Sequence, residues 1–318
     1  MRTSPDAAPH AARADAPPVA IVVVNWHHRA TTDRCLDALR QLTYPRWSLV
    51  LIDNGCTDFS TEEIAQRAPG AAYLRSPTNL GFAGGANLGM RTALARGAAW
   101  VWFLNDNAAP EPDALDELLE ATARPPHPAV LGAKIVQYAR PERHDSLALD
   151  VDLARGRVRL PGHDEVDRGQ YDHVREPLAV TGCAMLVRRD ACERLGGFNE
   201  AYFAYLEDVD LCLRARAASL PVAAVPSARV RHDRPAAARG RQSTASLYYA
   251  CRNHLVLLAR HAPQAPWRSR LRAAEVLARY LAFALRGDLA GAAARLASVR
   301  RGARDYTAGV MGAERAPG

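Results

Sequence analysis

Apolar positions gather along this chain in short runs, and each run stops at a polar residue. Val19-Ala-Ile-Val-Val-Val leads to Asn25, Leu49-Val-Leu-Ile to Asp53-Asn54-Gly55, and Ala99-Trp-Val-Trp-Phe-Leu to Asn105-Asp106-Asn107. Runs this short, without polar alternation, predict strands buried on both faces, as in a parallel sheet. Helical periodicity fills the gaps, near Thr31–Gln41, Thr61–Ala68, Gly85–Arg96 and Pro112–Thr122, with Pro110 and Pro112 suited to the start of the last. A further strand is predicted near Ala72–Arg75. This βαβα succession up to about Val136 predicts an α/β fold: a Rossmann-like, mostly parallel central sheet flanked by helices, with right-handed crossovers.

Beyond that point the pattern changes. From His144 to Arg175 the sequence is charged and punctuated by Gly and Pro, which predicts a hairpin or loop excursion. Periodicity resumes with an apolar strand over Leu178–Val187, an acidic helix over Val209–Ala218, and short strands near Val222–Val225 and Arg229–His232. From Ser243 the spacing is helical: Leu247, Tyr248, Cys251, Leu255 and Leu258 recur on one stripe, and Trp267–Arg301 continues with apolar stripes among arginines. The boundaries are therefore a tail over residues 1–18, a main domain over 19–240 divided at 136/137, and a helical C-terminal extension over 241–318.

Composition narrows the classes. The 318 residues are 48% hydrophobic and 24% charged, which is ordinary for a globular protein. The net charge of +7 comes almost entirely from arginine, since Lys134 is the sole lysine; compositional bias accounts for most of it, and anionic partners remain compatible. No interleaving of aromatic and basic residues marks a nucleic-acid surface. The six cysteines are scattered through apolar runs without a Cys-x-x-Cys pair, which fits a reducing cytosol and argues against zinc or a disulfide framework. The first eighteen residues lack an apolar core and read as a disordered tail, not a signal peptide. No run approaches the roughly 20 apolar residues of a membrane span, so a soluble or peripheral protein is expected.

The chemistry concentrates in Phe203-Ala-Tyr205-Leu-Glu207-Asp208-Val-Asp210. Three carboxylates within four positions raise one another's pKa, as a general base near neutral pH requires; an acidic helix start favoured by the macrodipole is the competing reading. Polar groups at the carboxyl ends of parallel strands mark the usual ligand crevice of open α/β sheets. The segment Asn79-Leu-Gly81-Phe82-Ala-Gly84-Gly85-Ala-Asn87-Leu-Gly89 permits close backbone approach to a ligand, and its glycine spacing differs from a dinucleotide fingerprint.

Together with Thr181-Gly182-Cys183, Gly196-Gly-Phe-Asn199-Glu200 and Arg229-Val-Arg-His232, these motifs resemble, in order from Val19 to Asn253, the family 2 glycosyltransferases of GT-A fold, in particular their rhamnosyltransferase-like branch in bacterial polysaccharide synthesis. The resemblance implies an inverting glycosyltransferase. It would move a sugar, rhamnose or another hexose, from a nucleotide-diphosphate donor to a hydroxyl of a glycan, glycolipid or other acceptor. Residues 19–136 become the nucleotide-binding half of the catalytic domain and 137–240 the acceptor-binding half. Asp208 is then the catalytic base; Glu207, Tyr205 and Gly182 face the acceptor. Asn25, Asp53, Asn54, Gly81, Phe82, Gly84, Asn87, Asn105 and Asp106 face the donor, while Asp210 pairs with Arg214. A divalent metal, Mg²⁺ or Mn²⁺, is implied at Asp106 and His232, but Asn107 stands where the family usually carries Asp, and hard cations prefer charged oxygens. That departure keeps open a metal-independent or non-catalytic nucleotide-sugar-binding relative. The expected place of work is the cytoplasm, with peripheral contact at the inner face of the membrane through the C-terminal helices and a lipid-linked or glycan acceptor.

Overall fold

A computed structural model describes residues 16–173, 176–233, 243–262, 266–286 and 291–314. The expected N-terminal tail lies almost wholly outside the described residues, as do Arg175 and the boundary at 240/241. The first half follows the predicted succession: β1 (Val19–Asn25), α1 (Arg29–Leu39), β2 (Trp47–Asn54), α2 (Thr61–Arg67), β3 (Ala72–Ser76), α3 (Gly81–Ala95) and β4 (Trp100–Asn105). Helix α2 opens with a capping box, in which Ser60 Oγ accepts from Glu63 N and the Glu63 carboxylate accepts from Ser60 N. Strands β3, β2, β1 and β4 lie side by side and parallel.

The second half completes the sheet with mixed polarity. It contributes β5 (Ala108–Pro110), α4 (Ala114–Thr122), β6 (Val130–Gln137), β7 (His144–Ser146), β8 (Asp150–Asp152), β9 (Arg157–Arg159), β10 (Ala184–Arg188), α5 (Arg189–Leu195), α6 (Glu207–Ala217) and β11 (Val222–His232). The order is β3-β2-β1-β4-β10-β6-β11-β5, with β7 beside β6, and β10 antiparallel to both its neighbours. The stretch from His144 is a strand plus a separate β8–β9 hairpin. Both faces of the sheet are covered. Ala20 and Val22 of β1 point into one apolar cluster with α3, α5 and α6; Val19, Ile21 and Val23 point into the other with α1, α2 and α4. That explains why the strand runs carry no alternation.

Several boundaries differ from the sequence reading. Helix α3 starts at Gly81, four residues early, because the glycines pack as helix. A Cβ on Gly89 would lie 2.3 Å from Val22 Cγ1 and one on Gly85 2.7 Å from Val24 Cγ1, so these positions let α3 sit close on β1. Helix α6 begins at Glu207, placing the acidic residues in its first turn. Strand β10 starts only at Ala184, since Thr181–Cys183 turn aside at the sheet end. The two expected short strands are one strand, β11, with an irregularity between Val225 and Arg229.

The extension consists of α7 (Thr244–His261), α8 (Pro266–Ala284) and α9 (Ala292–Thr307) around Leu247, Cys251, Leu255, Leu258, Val276 and Val299. No described helix is long and apolar enough to cross a membrane.

Candidate active site

The carboxyl ends of β1, β2 and β4 converge on one rim with the turn before β10, the start of α6 and the end of β11. Register places Asn25 directly beside Asp53. Asp53 is fully buried; its Oδ1 accepts from Cys56 N at 2.9 Å, and its Oδ2 from Tyr73 Oη and Arg75 Nε, each at 2.9 Å. Asn25 donates to Cys56 Sγ and Asp58 Oδ2, both at 3.2 Å, and accepts from Thr32 Oγ1 at 3.0 Å. These bonds stitch the ends of β1 and β2 to the loop after Asn54.

Two residues expected at the donor, Asn54 and Asn87, bond neighbouring backbone at the rim. Asn54 caps the approach to α3, donating to Gly81 O at 3.0 Å and accepting from Leu80 N at 3.0 Å. Asn87 exchanges both bonds with the Phe198 backbone at 2.8 Å and donates to Glu200 at 2.9 Å. Gly81 is left-handed (φ 72°), and a Cβ there would fall 2.4 Å from Phe203 O. Gly84 is closed off by Leu80, and Phe82 stacks edge-on with Phe198. The glycine segment thus shapes the rim through packing.

The β4 end forks. Asn105 N donates to Cys183 O at 2.9 Å, tying β4 to the Gly182 turn. Asp106 Oδ2 lies 3.2 Å from His28 Nδ1; this hydrogen bond, outweighing burial and helped by Asp58, raises the His28 pKa. Asn107 Oδ1 instead meets His232 Nε2 at 3.1 Å, and the other ring nitrogen of His232 bonds Asp145 Oδ2 at 2.6 Å. Burial opposes charge on His232, but the adjoining Cys183 sulfur and Asp145 carboxylate outweigh it and raise the pKa to about 10. A carboxylate behind a histidine that offers its other nitrogen forward is the usual support of a metal-ligating imidazole.

Asp106, the Asn107 carbonyl and His232 supply oxygen and imidazole donors of the kind Mg²⁺ and Mn²⁺ accept, provided substrate phosphate completes the shell. Among the described residues, three His, Cys, Asp or Glu ligands come within 4.8 Å of one another at His27, Cys56 and Asp58, not at Asp106 and His232.

The opposite wall is the start of α6. Gly182 N donates to Asp208 Oδ2 at 2.8 Å, and Val209 N to Asp208 Oδ1 at 2.8 Å. Burial raises the Asp208 pKa, with these backbone donors working against it. Glu207 is buried, its Oε2 has no hydrogen-bond partner, and burial followed by the Asp208 charge pushes it well above the carboxylate range. Asp210 behaves differently: it is fully buried, yet His261 and Arg214 more than offset burial and lower its pKa. Its Oδ2 accepts from Arg214 Nε at 2.7 Å, the pairing expected from sequence. Tyr205 stands on the rim, 49% exposed.

Sequence reasoning passed over His28, Asp145, Arg252 and Asn253. Asp145 lay in the stretch without periodicity and carried no signal. Arg252 and Asn253 did: two polar residues inside an apolar helix are buried with partners or not at all.

The resemblances to known proteins follow the same lines. A sequence model of the family described as "Glycosyltransferase like family 2" matches residues 17–248. An N-acetylglucosaminyl-diphospho-decaprenol L-rhamnosyltransferase of Mycobacterium tuberculosis is 30% identical over 297 residues, covering 85% of this chain and 90% of that protein. Galactofuranosyltransferase GlfT1 of Mycolicibacterium smegmatis is 28% identical over 206 residues, 64% of this chain and 67% of its own. Among solved structures, the mannosyltransferase PcManGT from Pyrobaculum calidifontis, in complex with GDP-Man and Mn²⁺, superposes with a TM-score of 0.56 at 18% identity over 92% of this chain and 83% of that one. S. aureus TarS 1-349 in complex with UDP-GlcNAc gives 0.54 at 14% identity over 92% of both chains. By sequence match, fold and the order of its motifs, the chain belongs to glycosyltransferase family 2 and is a rhamnosyltransferase-like glycosyltransferase of GT-A fold.

Proposed function

We propose that the protein is an inverting transferase that moves a sugar, rhamnose or another hexose, from a nucleotide diphosphate to a hydroxyl of a lipid-linked or glycan acceptor. The observation that carries this is the Asp208 carboxylate. It is fixed by two backbone N–H groups at the crevice wall and stands beside a Glu207 that burial favours in its neutral form. Asp208 takes the acceptor hydroxyl proton while that oxygen bonds the anomeric carbon. The bond from that carbon to the diphosphate oxygen breaks on the opposite face, and its electron pair leaves with the nucleotide diphosphate. One displacement by one base inverts the centre. Asp53, Asn25 and Tyr73 shape the nucleoside end, and Tyr205 and Glu207 line the acceptor side. A divalent ion held by Asp106, Asn107 and His232 would neutralise charge on the leaving diphosphate.

A lipid-linked acceptor is favoured by the 30% identical relative, whose name describes one, and by α8. Trp267, Leu271 and Phe283 of α8, with Leu285 just after it, are 45–59% exposed, beside the exposed Arg268, Arg270 and Arg286. Such a face suits shallow burial in an anionic leaflet, each exposed arginine adding about 1 kcal/mol, and supports work at the inner face of the membrane. A non-catalytic nucleotide-sugar binder is the second reading, favoured by Asn107.

The test is a screen of purified protein with UDP-, GDP- and dTDP-sugars, with Mn²⁺ or EDTA, against a prenyl-diphosphate-linked N-acetylglucosamine. A product whose anomeric configuration is opposite to the donor's supports the proposal. Binding of a nucleotide sugar without turnover on any acceptor supports the second reading. Retention of configuration overturns the single-displacement mechanism. For the surface, salt-sensitive flotation with anionic vesicles should be lost in Trp267→Glu/Leu271→Glu; equal flotation of that variant overturns the role of α8.

A further inference from the structure

We propose that Arg252 and Asn253 of α7 are positioning residues for the catalytic wall: they hold the strained segment that precedes Asp208, so the C-terminal extension sets the place of the base. This role rests on Asp208 being that base.

The segment has unusual backbone geometry. Phe203, Tyr205 and Leu206 have φ of 65°, 71° and 68°, so three of the seven non-glycine residues with positive φ among the described residues fall within four positions. Bulky side chains avoid this region, and such conformations persist only where their surroundings impose them. What imposes it here is one amide and one guanidinium. Asn253 Nδ2 lies 2.9, 2.7 and 2.8 Å from the carbonyl oxygens of Tyr202, Ala204 and Tyr205, its two N–H groups shared among the three. Arg252 Nη2 reaches Tyr202 O at 3.0 Å and Ala201 O at 3.3 Å, and Arg252 Nε fixes the amide by donating to Asn253 Oδ1 at 3.0 Å. Both side chains are fully buried. Left-handed turns bring the carbonyls together around a common point, where they would repel one another without a shared donor.

The pair is anchored from behind and acts on both substrate sides. Arg252 Nη1 donates to Gly312 O at 2.6 Å and reaches Tyr248 Oη at 3.4 Å, and Tyr248 in turn donates to Asp305 of α9 at 2.7 Å. Further along α7, His261 Nε2 meets Asp210 Oδ1 at 2.8 Å, so α7 grips α6 as well as the approach to it. On the donor side, Phe203 O accepts from Ala83 N at 3.1 Å, in the first turn of α3. Slack in Tyr202–Leu206 would therefore move Asp208 and the rim of α3 together.

The experiment compares wild type with Asn253→Ala, Leu206→Gly and the double variant in the full-length protein. Hydrogen exchange is read first, because it needs no substrate. Asn253→Ala should speed exchange in peptides covering 201–208 and 181–183 by about tenfold or more, with β1 and β2 peptides unchanged. Leu206→Gly, which adopts a left-handed backbone without strain, should restore much of that protection in the double variant. On a donor that wild type turns over, kcat should fall 10- to 100-fold in Asn253→Ala, with KM for the donor within threefold, and should recover partly in the double variant. Unchanged exchange over 201–208 overturns the proposal, as does a loss of KM and kcat alike that the glycine does not rescue. If Asn253→Ala does not fold, the double variant decides in the same way: a folded protein with restored protection supports the role, and failure to fold overturns it. If wild type turns over no donor, the assignment of function has failed while the exchange result still judges the clamp.

Discussion

Substituting the two adjacent carboxylates separately should give sharply unequal results. Glu207 and Asp208 stand at the start of one helix, the first buried with an unpartnered oxygen, the second bonded by two backbone N–H groups. Two like charges on adjacent buried carboxylates repel, and in a buried setting that repulsion is little screened. The pair avoids this by keeping one proton, and Glu207, with Oε2 unpartnered and burial the largest cause of its raised pKa, is the group to hold it. Glu207→Gln then exchanges one neutral group for another and should cost less than about threefold in kcat, under about 0.7 kcal/mol. Asp208→Asn removes the charged base and should cost at least about 10²-fold, or about 2.7 kcal/mol, with donor affinity retained. In wild type, kcat/KM should fall as pH drops through an Asp208 pKa raised by burial. Steady-state kinetics over pH 5 to 9 with both variants tests this. Comparable losses in the two variants, or near-normal turnover by Asp208→Asn, refute the division of roles.

Three further outcomes are expected. Gly182→Ala puts a Cβ 3.3 Å from Asp208 Cβ without requiring a left-handed backbone, so kcat should drop about tenfold with donor KM unchanged; unaltered kcat would show that the Asp208 position tolerates the shift. Because His232 holds its proton up to about pH 10, Mn²⁺ followed by electron paramagnetic resonance should bind more tightly from pH 6 to 9 and tighter still in Asn107→Asp; pH-independent binding excludes His232 as a ligand. His254 is buried, its pKa lowered to about 4 by burial and then by Arg279, against about 6.5 when unfolded. Its contribution is complete above pH 6.5 and is lost as pH falls toward 4. Unfolding free energy should decline by about 2 kcal/mol from this group between pH 7 and 5, and a His254→Gln variant with the same slope as wild type would remove His254 as the cause.

What the sequence made legible follows from the physics of each part. Strands β1, β2 and β4 were readable because burial on both faces leaves an uninterrupted apolar run, and the polar residue ending each run marked the carboxyl end of the sheet. The acidic start of α6 and the Asp210–Arg214 pair were readable because helix spacing alone relates them. The backbone partners of Asn54 and Asn87, 26 and 111 residues away, were not, since nothing in an amide's sequence position names a distant partner. Nor was the close packing of the glycine segment on β1 at Gly85 and Gly89, which depends on which surface lies opposite. Asp145 behind His232 was out of reach because 87 residues separate them and neither sits in a periodic element that points to the other.

The C-terminal extension shows how two readings of one segment can divide between its helices. A packed helical cap and a basic amphipathic surface look alike in sequence, since both alternate arginine with apolar residues. Burial separates them. Arg252 of α7 is fully buried with its donors directed to carbonyls, which is tolerable only because they satisfy it. On α8, Trp267 is 59% exposed and the Arg268 guanidinium lies 5.0 Å over its ring, while Phe283 carries Arg286 at 4.5 Å in the same manner. Paired aromatic and cationic groups left facing outward have no internal role, and an interface with apolar depth beneath negative charge satisfies both halves of each pair. The inner helix packs against the start of α6, and the outer one leaves its aromatic and basic groups exposed, as the proposed contact with a lipid-linked acceptor requires. Because α7 packs against α8, the proposed attachment at the outer helix and the proposed alignment at the inner one would be carried by a single packed unit.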